Sequence, residues 1–228
     1  MKESLIFAIL LAVAVLAPAV LAQVPPSPAE AAAYRNVLAK AHRGDVPGLE
    51  QAVAAGAPLN ARDSHGRTAL HVATFARQPG VIRALARAGA DLSLVENDHY
   101  DAVSIASVAD DEDTLHLLLS LGAKAGQVTS RYDGTALIAA AHLGHDGVVR
   151  QLIQAGAPLD HVNNLHWTAV IESIVLGDGG PRHQATLKAL IGAGASLRLT
   201  DRYGQTPLQL ARARGYAEMV RMLERAVP

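Results

Sequence analysis

Two landmarks recur along this chain with one shared period, and this recurrence restricts the possible folds more than any other feature. The first landmark is a Gly-Ala pair at Gly56, Gly89, Gly122, Gly156 and Gly194, with separations of 33, 33, 34 and 38 residues. Each pair follows a helical stretch, where a glycine supplies the left-handed conformation that ends a helix. The chain is therefore expected to repeat one short helical unit.

The second landmark is a six-residue segment in phase with the Gly-Ala pairs. It covers residues 68–73 (TALHVA) in one copy, and the other copies begin at Asp101, Thr135, Thr168 and Thr206. A Thr or Asp at this position can accept a hydrogen bond from a free amide and so begin a helix. Because a single unit cannot bury its own apolar face, the shared period predicts several units stacked side by side.

This pattern resembles the ankyrin repeat, a unit of about 33 residues with a TPLHxA core. Segments 63–71 (DSHGRTALH) and 201–208 (DRYGQTPL) are close matches. The resemblance implies an all-α solenoid of helix-turn-helix units with short hairpin loops, in which the atypical first and last units act as caps. The expected domain is 27–228, with about six repeats at 27–60, 61–93, 94–127, 128–160, 161–198 and 199–228.

The first 22 residues predict a secretory signal. Residues 5–17 contain no polar side chain, Pro18 ends this run, and small residues precede the expected cleavage site after Ala22. We expect a short lead at 23–26 and a periplasmic or secreted mature chain that is not inserted in a membrane. The alternative is an uncleaved anchor, since the apolar stretch is just long enough to span a bilayer if the proline is tolerated.

Two units depart from the pattern. In the third, Glu96, His99 and Asp101 stand where the pattern has Asp, Gly and Thr, so we expect a distorted hairpin, although Asp101 can still cap a helix. In the fifth, His166 stands at a Gly position. That unit also carries about five extra residues near 177–181, which predict a flexible surface insertion, with a partner contact as the alternative.

Composition and motifs exclude several functional classes. The absence of cysteine excludes disulfides, thiolate metal sites and a cysteine nucleophile. A formal net charge of -1 without a concentrated basic surface predicts binding neither to nucleic acid nor to an anionic membrane. Nucleophile, metalloprotease and dinucleotide motifs are absent from the sequence, so we expect no enzymatic activity and no cofactor. A hydrolase without a recognisable motif is the remaining enzymatic alternative.

The ten histidines raise the alternative of a metal-binding or small-molecule-binding protein that uses histidine-rich hairpins. The ankyrin resemblance implies structural roles for His71 and His145. Spacing places no third ligand beside His142 and His145, so no metal site is predicted. The acidic run at 110–113 precedes a helix expected near Thr114, where negative charge favours the helix N-terminus.

Aromatic residues suggest where a partner binds. The ankyrin resemblance implies contacts through the hairpin tips and the exposed ends of the first helices. Only seven aromatic side chains follow residue 22, and four of them fall on the hairpins of successive units. Since Trp, Tyr and Arg typically carry interface energy, we predict a protein-binding groove centred on Tyr132, His142 and Trp167. The alternative is that each ring packs against a neighbouring hairpin and stiffens the array.

The predicted function is therefore an exported, non-enzymatic module that holds a protein partner, compatible with a monomer. The residues predicted to bind the partner are His65, Arg67, Phe75, Tyr100, Arg131, Tyr132, His142, Trp167 and Tyr203.

Overall fold

A computed structural model describes residues 23–226 of the chain, so the predicted signal peptide lies outside the described residues. This range contains thirteen α-helices and one two-stranded β-ladder. The helices are α1 (Pro28–Ala33), α2 (Asn36–Arg43), α3 (Val46–Ala54), α4 (Ala69–Phe75), α5 (Pro79–Arg87), α6 (Ala102–Val108), α7 (Glu112–Ser120), α8 (Ala136–Leu143), α9 (Asp146–Gln154), α10 (Ala169–Val175), α11 (Pro181–Gly192), α12 (Pro207–Ala213) and α13 (Ala217–Ala226); the strands are β1 (Val128–Thr129) and β2 (Gly134–Thr135).

After α1, the helices form six pairs, which confirms the predicted all-α solenoid. The first helix of each pair is called inner and the second outer. Inner helices pack against neighbouring inner helices, outer helices pack against outer helices, and each pair packs internally. One continuous core therefore runs along the array, filled by buried side chains such as Leu85, Leu118 and Leu152. Between residues 23 and 226, no helix is both long and apolar enough to cross a membrane.

The helices begin at the predicted capping residues. Ser27 Oγ accepts from the Glu30 amide at 3.3 Å, and Glu30 Oε2 accepts from the Ser27 amide at 2.8 Å, which forms the expected capping box before α1. Asp101 caps α6, since its Oδ1 accepts from the third helical amide at 2.7 Å. The equivalent bond is 3.3 Å long at Thr135, Thr168 and Thr206.

Five hairpins, at 63–67, 96–100, 130–134, 163–167 and 201–205, precede the inner helices of the second to sixth units. In the first of them, the Asp63 amide donates to the Arg67 carbonyl at 3.0 Å, and the Asp63 carboxylate accepts from two amides of the turn. This side chain therefore fixes the backbone of its own hairpin.

The third unit keeps the same hairpin geometry, so the expected distortion is wrong. The Glu96 amide donates to the Tyr100 carbonyl at 3.0 Å, and the longer Glu96 carboxylate still accepts two turn amides. His99 takes the left-handed conformation with φ 67°, where Gly66 has φ 74°. The backbone shape is therefore set by its hydrogen bonds, and the non-glycine residue is held in a strained conformation.

Backbone hydrogen bonds also join one hairpin to the next. The Asn97 amide donates to the His65 carbonyl at 2.9 Å, and the Asn164 amide donates to the Tyr132 carbonyl at 3.0 Å. A similar bond of 2.8 Å, from Ser130, joins the hairpins of the third and fourth units. These bonds form a ladder that holds the hairpins of the second to fifth units in fixed positions relative to one another.

The insertion of the fifth unit makes contacts on both sides. The Tyr216 hydroxyl donates to the Gly177 carbonyl at 2.7 Å. On the other side, His183 Nε2 donates to the His142 carbonyl at 2.8 Å, and His183 Nδ1 contacts Asp178 Oδ1 at 2.8 Å. The segment therefore packs between the fourth and sixth units.

His71 has the structural role that the ankyrin resemblance implies. Its Nδ1 accepts from the Thr68 amide at 3.0 Å, and its Nε2 donates to the Tyr100 carbonyl at 3.2 Å. Burial lowers the pKa of His71 to about 4 against the opposing effect of the Tyr100 carbonyl. The neutral ring therefore links the start of α4 to the next hairpin.

We expect the strain at His166 to be measurable. His166 is exposed with φ 63°, so His166→Gly should raise the free energy of unfolding by about 0.5–1 kcal/mol in chemical denaturation. The matched opposite change, Gly204→Ala, should lower it by about 1 kcal/mol, because φ is 74° and the added Cβ would meet no atom within 4 Å. A His166→Gly variant less stable than the wild type would contradict the strain.

The titration of His71 predicts a pH effect on stability. Below about pH 6.5 the His71 imidazole is protonated in the unfolded state, whereas in the folded state it stays neutral down to about pH 4. Lowering the pH through this window should therefore cost the wild type about 2–3 kcal/mol more than a variant without the imidazole. His71→Gln is the matched variant, since Gln209 Oε1 accepts from the Thr206 amide at 2.9 Å at the equivalent position. Equal pH dependence of the two unfolding free energies would refute this prediction.

Candidate partner-binding site

The hairpin tips and the last turns of the inner helices together form one surface, which is called the inner face. Third-position residues of the hairpins lie at its tips: Tyr203 is 77% exposed and the side chain of His65 is 46% exposed. Arg131 is also exposed and pairs with Asp98 Oδ1 of the preceding hairpin at 2.6 Å. These three predicted site residues are therefore accessible to a partner.

Two predicted site residues are buried, so the expectation that they are exposed is wrong. Arg67 is 1% exposed and Tyr100 is 6% exposed. Each is the last residue of its hairpin and directly precedes a helix cap, Thr68 or Asp101, a position whose side chain commonly packs back against the helix. The packing alternative therefore holds for Tyr100, and this adjacency to the cap is the sequence signal that distinguishes it from Tyr203.

Arg67 instead ties the N-terminal segment to the second unit. Its Nη1 donates to the Val24 carbonyl at 3.0 Å, its Nη2 donates to Glu30 Oε1 at 2.6 Å, and its Nε donates to Asp63 Oδ2 at 2.7 Å. The Tyr34 hydroxyl donates to the same Asp63 oxygen at 2.7 Å. This Arg67 cluster fastens residues that precede the first helix pair onto the first hairpin.

The charge states of the Arg67 cluster favour ion pairing. Hydrogen bonds from Ser27, followed by the Arg67 guanidinium, lower the pKa of Glu30 to about 2. Burial opposes ionisation of Asp63, but bonds from Tyr34 and Arg67 outweigh it and the Asp63 pKa is lowered. Both carboxylates are therefore ionised at neutral pH and balance the buried guanidinium.

The Arg67 cluster also contains a possible ligand set for a metal ion, formed by Glu30, Asp63 and His65. However, the Arg67 guanidinium already donates to both carboxylates, and its Nη2 lies 3.2 Å from His65 Nδ1. A cation placed there would have to displace a buried cation from its hydrogen bonds, which is unfavourable. The geometry of these residues therefore favours a structural ion-pair network over a metal site.

The remaining predicted residues lie along the inner face. Phe75, Tyr132 and Trp167 are half-buried, and Trp167 also packs against the core. His142 is in the last turn of α8, and its side chain is 19% exposed. His145 is directed elsewhere, since its Nδ1 donates to the Ser107 carbonyl at 2.9 Å. The two histidines therefore make separate structural contacts.

Sequence reasoning missed two polar residues that lie beneath His142. Glu172 Oε2 is 3.4 Å from His142 Nδ1, and Glu172 Oε1 accepts from Asn163 Nδ2 at 2.9 Å. Asn163 also holds its own hairpin, because its Oδ1 accepts from the Leu165 and Trp167 amides at 3.0 Å. The signal that was available is Glu172 itself, an acidic residue in a segment where the other copies have aliphatic ones.

The acidic run at 110–113 has structural partners. Asp111 caps α7 by accepting from the Thr114 amide at 3.1 Å, so the helix begins at Glu112, two residues before the predicted start near Thr114. Asp110 pairs with Arg182, whose Nη2 lies 2.8 Å from Asp110 Oδ2 across 72 residues of sequence. The run therefore begins a helix and links the third unit to the fifth.

Comparison with known proteins shows the family. Residues 65–97 and 132–164 match the ankyrin repeat model, and residues 181–224 match the model for ankyrin repeats in many copies. The ankyrin repeat protein YahD of Escherichia coli K12 is 35% identical over 189 residues, which cover 82% of this chain and 94% of YahD. The human B-cell lymphoma 3 protein is 31% identical over 173 residues, which cover 74% of this chain and 37% of that protein. The chain belongs to the ankyrin repeat family.

Solved structures agree with this assignment. An ankyrin repeat domain from Acinetobacter baumannii AYE is 39% identical, with a TM-score of 0.78 over 83% of this chain and 96% of that one. A chain from the complex of the predatory endopeptidase Bd0816 of Bdellovibrio bacteriovorus with the immunity protein Bd3460 has the same fold, with 23% identity, a TM-score of 0.70, and coverage of 84% and 98%. Ankyrin repeat domains are protein-interaction modules, and the fold is generally a non-enzymatic scaffold.

The two tyrosines are expected to differ sharply in their effect on stability. Tyr100→Ala removes a buried ring and should lower the free energy of unfolding by about 3–5 kcal/mol. Tyr203→Ala removes an exposed ring and should change it by less than about 0.5 kcal/mol. Chemical denaturation of the two variants measures the contrast. Equal losses would mean that both rings pack within the array.

Proposed function

We propose that the chain is exported and, as a monomer, holds another protein against its inner face. The proposed contact residues are the accessible members of the predicted set: His65, Phe75, Arg131, Tyr132, His142, Trp167 and Tyr203. Arg67 and Tyr100 are left out because their side chains are buried. The partner is bound without chemical change, in keeping with the interaction role of ankyrin repeat domains.

The observation that carries this proposal is the hydrogen-bonded ladder of hairpins. The bonds from Asn97 to His65 and from Asn164 to Tyr132 fix the backbone beneath the exposed tips. A surface that is already ordered loses little conformational entropy on binding, so its side chains contribute more of their contact energy to affinity. Tyr, Trp and Arg on such a surface are the residue types that most often dominate interface energy.

A structural neighbour supports a role in binding a bacterial protein. The solved complex of Bd0816 with Bd3460 joins an endopeptidase and an immunity protein, and one of its chains shares this fold. By analogy, we propose a folded bacterial protein of the cell envelope as the partner. The export step is supported by the pattern of the first 22 residues, with the mature chain beginning at Gln23.

Partner capture tests the proposal. The full chain with its own leader and a C-terminal affinity tag is expressed in the native organism, the mature N-terminus is read by mass spectrometry, and proteins retained from the envelope fraction are identified. A triple variant, Arg131→Ala with Tyr132→Ala and Tyr203→Ala, should weaken binding of the retained protein by at least about thirtyfold.

A matched control separates binding from loss of fold. Arg83→Ala with Lys188→Ala removes two exposed side chains from outer helices and should leave both capture and melting temperature unchanged. If the triple variant captures the partner as well as the control does, the inner face is not the binding surface. Recovery of the tagged chain only from the cytoplasm, with residues 1–22 retained, would contradict export.

A further inference from the structure

Glu172 is an acidic residue at a helix position that is aliphatic in the other repeats. It is the fourth residue of the inner helix α10, and the equivalent residues of the other inner helices that follow hairpins are aliphatic: Val72, Ile105, Ala139 and Leu210. The Glu172 side chain is 6% exposed. A carboxylate therefore occupies a position at which the fold otherwise places an apolar side chain.

The two oxygens of the Glu172 carboxylate have different surroundings. Oε1 accepts the hydrogen bond from Asn163 Nδ2, but the described residues donate no hydrogen bond to Oε2. His142 Nδ1 lies 3.4 Å from Oε2, and between residues 23 and 226 no Lys or Arg side chain forms an ion pair with Glu172. Burying a carboxylate without a Lys or Arg partner is unfavourable, so an aliphatic residue should stabilise the free protein better.

Two aromatic residues lie on hairpins that hydrogen bonds connect to this carboxylate. Trp167 directly precedes the Thr168 cap of α10, and its half-buried side chain packs against the core. Asn163 connects Trp167 to Glu172, because it binds the Trp167 amide and the Glu172 carboxylate together. The half-buried ring of Tyr132 lies on the adjacent hairpin, joined through the Asn164 amide. Aromatic faces and a carboxylate together are a favourable environment for a cation.

We propose that Glu172, with His142 and Trp167, forms a subsite that receives a basic side chain, lysine or arginine, from the bound partner. The inference rests on the proposed function and adds the chemistry of the residue recognised. The incoming cation enters beside His142, supplies the charge that Oε2 lacks, and lies against the indole of Trp167. The Glu172 carboxylate is then paired with a cation in the complex, which gives specificity for a basic residue at this place.

The subsite is tested with small cationic probes. Trp167 is the only tryptophan of the chain, so its indole N–H gives a single reporter signal in a nitrogen-proton NMR spectrum. The purified mature protein is titrated with N-acetyl-arginine amide and with N-acetyl-lysine amide, and N-acetyl-citrulline amide serves as the uncharged control. The Trp167 signal should shift saturably with at least one cationic probe, and the better of the two identifies the preferred residue; citrulline should cause no saturable shift.

Variants of Glu172 test whether its carboxylate causes the shift of the Trp167 signal. Glu172→Gln keeps an acceptor for Asn163 and removes the charge, so it should weaken probe binding at least about tenfold. Asp133→Asn removes an exposed charge from the hairpin of the fourth unit and should leave probe binding unchanged. Equal shifts with citrulline, unchanged binding by Glu172→Gln, or no saturable shift in the wild type would each overturn the subsite. Partner capture by the wild type would still stand in those cases, so the two proposals fail separately.

A second measurement distinguishes a binding role from a structural one. Glu172→Leu restores the aliphatic residue found at Leu210 and should raise the melting temperature of the free protein while abolishing probe binding. If Glu172→Leu or Glu172→Gln melts below the wild type, the carboxylate stabilises its own hairpin through Asn163. That result would overturn the subsite.

Discussion

Close approach of neighbouring inner helices is the constraint on which the rest of this structure depends. Small residues at the equivalent position of the inner helices are buried, and they include Ala73, Ala106, Ala140 and Ala211. Because no side chain extends beyond Cβ there, the helices lie close and the hairpins that precede them fall within hydrogen-bonding distance of one another. The ladder of hairpins, and with it the inner face, follows from this spacing.

Architecture and recognition use different positions of the same hairpin. The last hairpin residue packs back onto the array, as Arg67 and Tyr100 do, whereas the tip residue points to solvent, as Tyr203 does. Glu172 is equivalent in position to the packing residues of the other inner helices, but it is acidic and has no Lys or Arg partner between residues 23 and 226. A partner that supplies a basic side chain would pair with Glu172. A residue that is unfavourable for the stability of the free protein would then contribute to recognition of the partner.

The two segments outside the regular pattern are both fastened by polar contacts. Arg67 joins the Val24 carbonyl to the second unit, and Tyr216 joins the Gly177 carbonyl to the sixth. A stacked array exposes an apolar face wherever a unit is missing or altered, so such segments need attachments of their own. These contacts explain how a chain with an irregular first unit and an enlarged fifth unit keeps one continuous core.

The sequence alone determined the solenoid, its helix caps and its left-handed helix ends, because these depend on residues a few positions apart. It predicted the caps at Ser27 and Asp101 and the family itself. From the sequence, both Tyr100 and Tyr203 are predicted to be exposed, although the position of Tyr100 directly before a cap distinguishes the two, and the structure shows that only Tyr203 is exposed. The sequence also did not predict that Arg67 pairs with Glu30, 37 residues away. Such contacts depend on how whole units stack, and only the tertiary structure brings distant residues together.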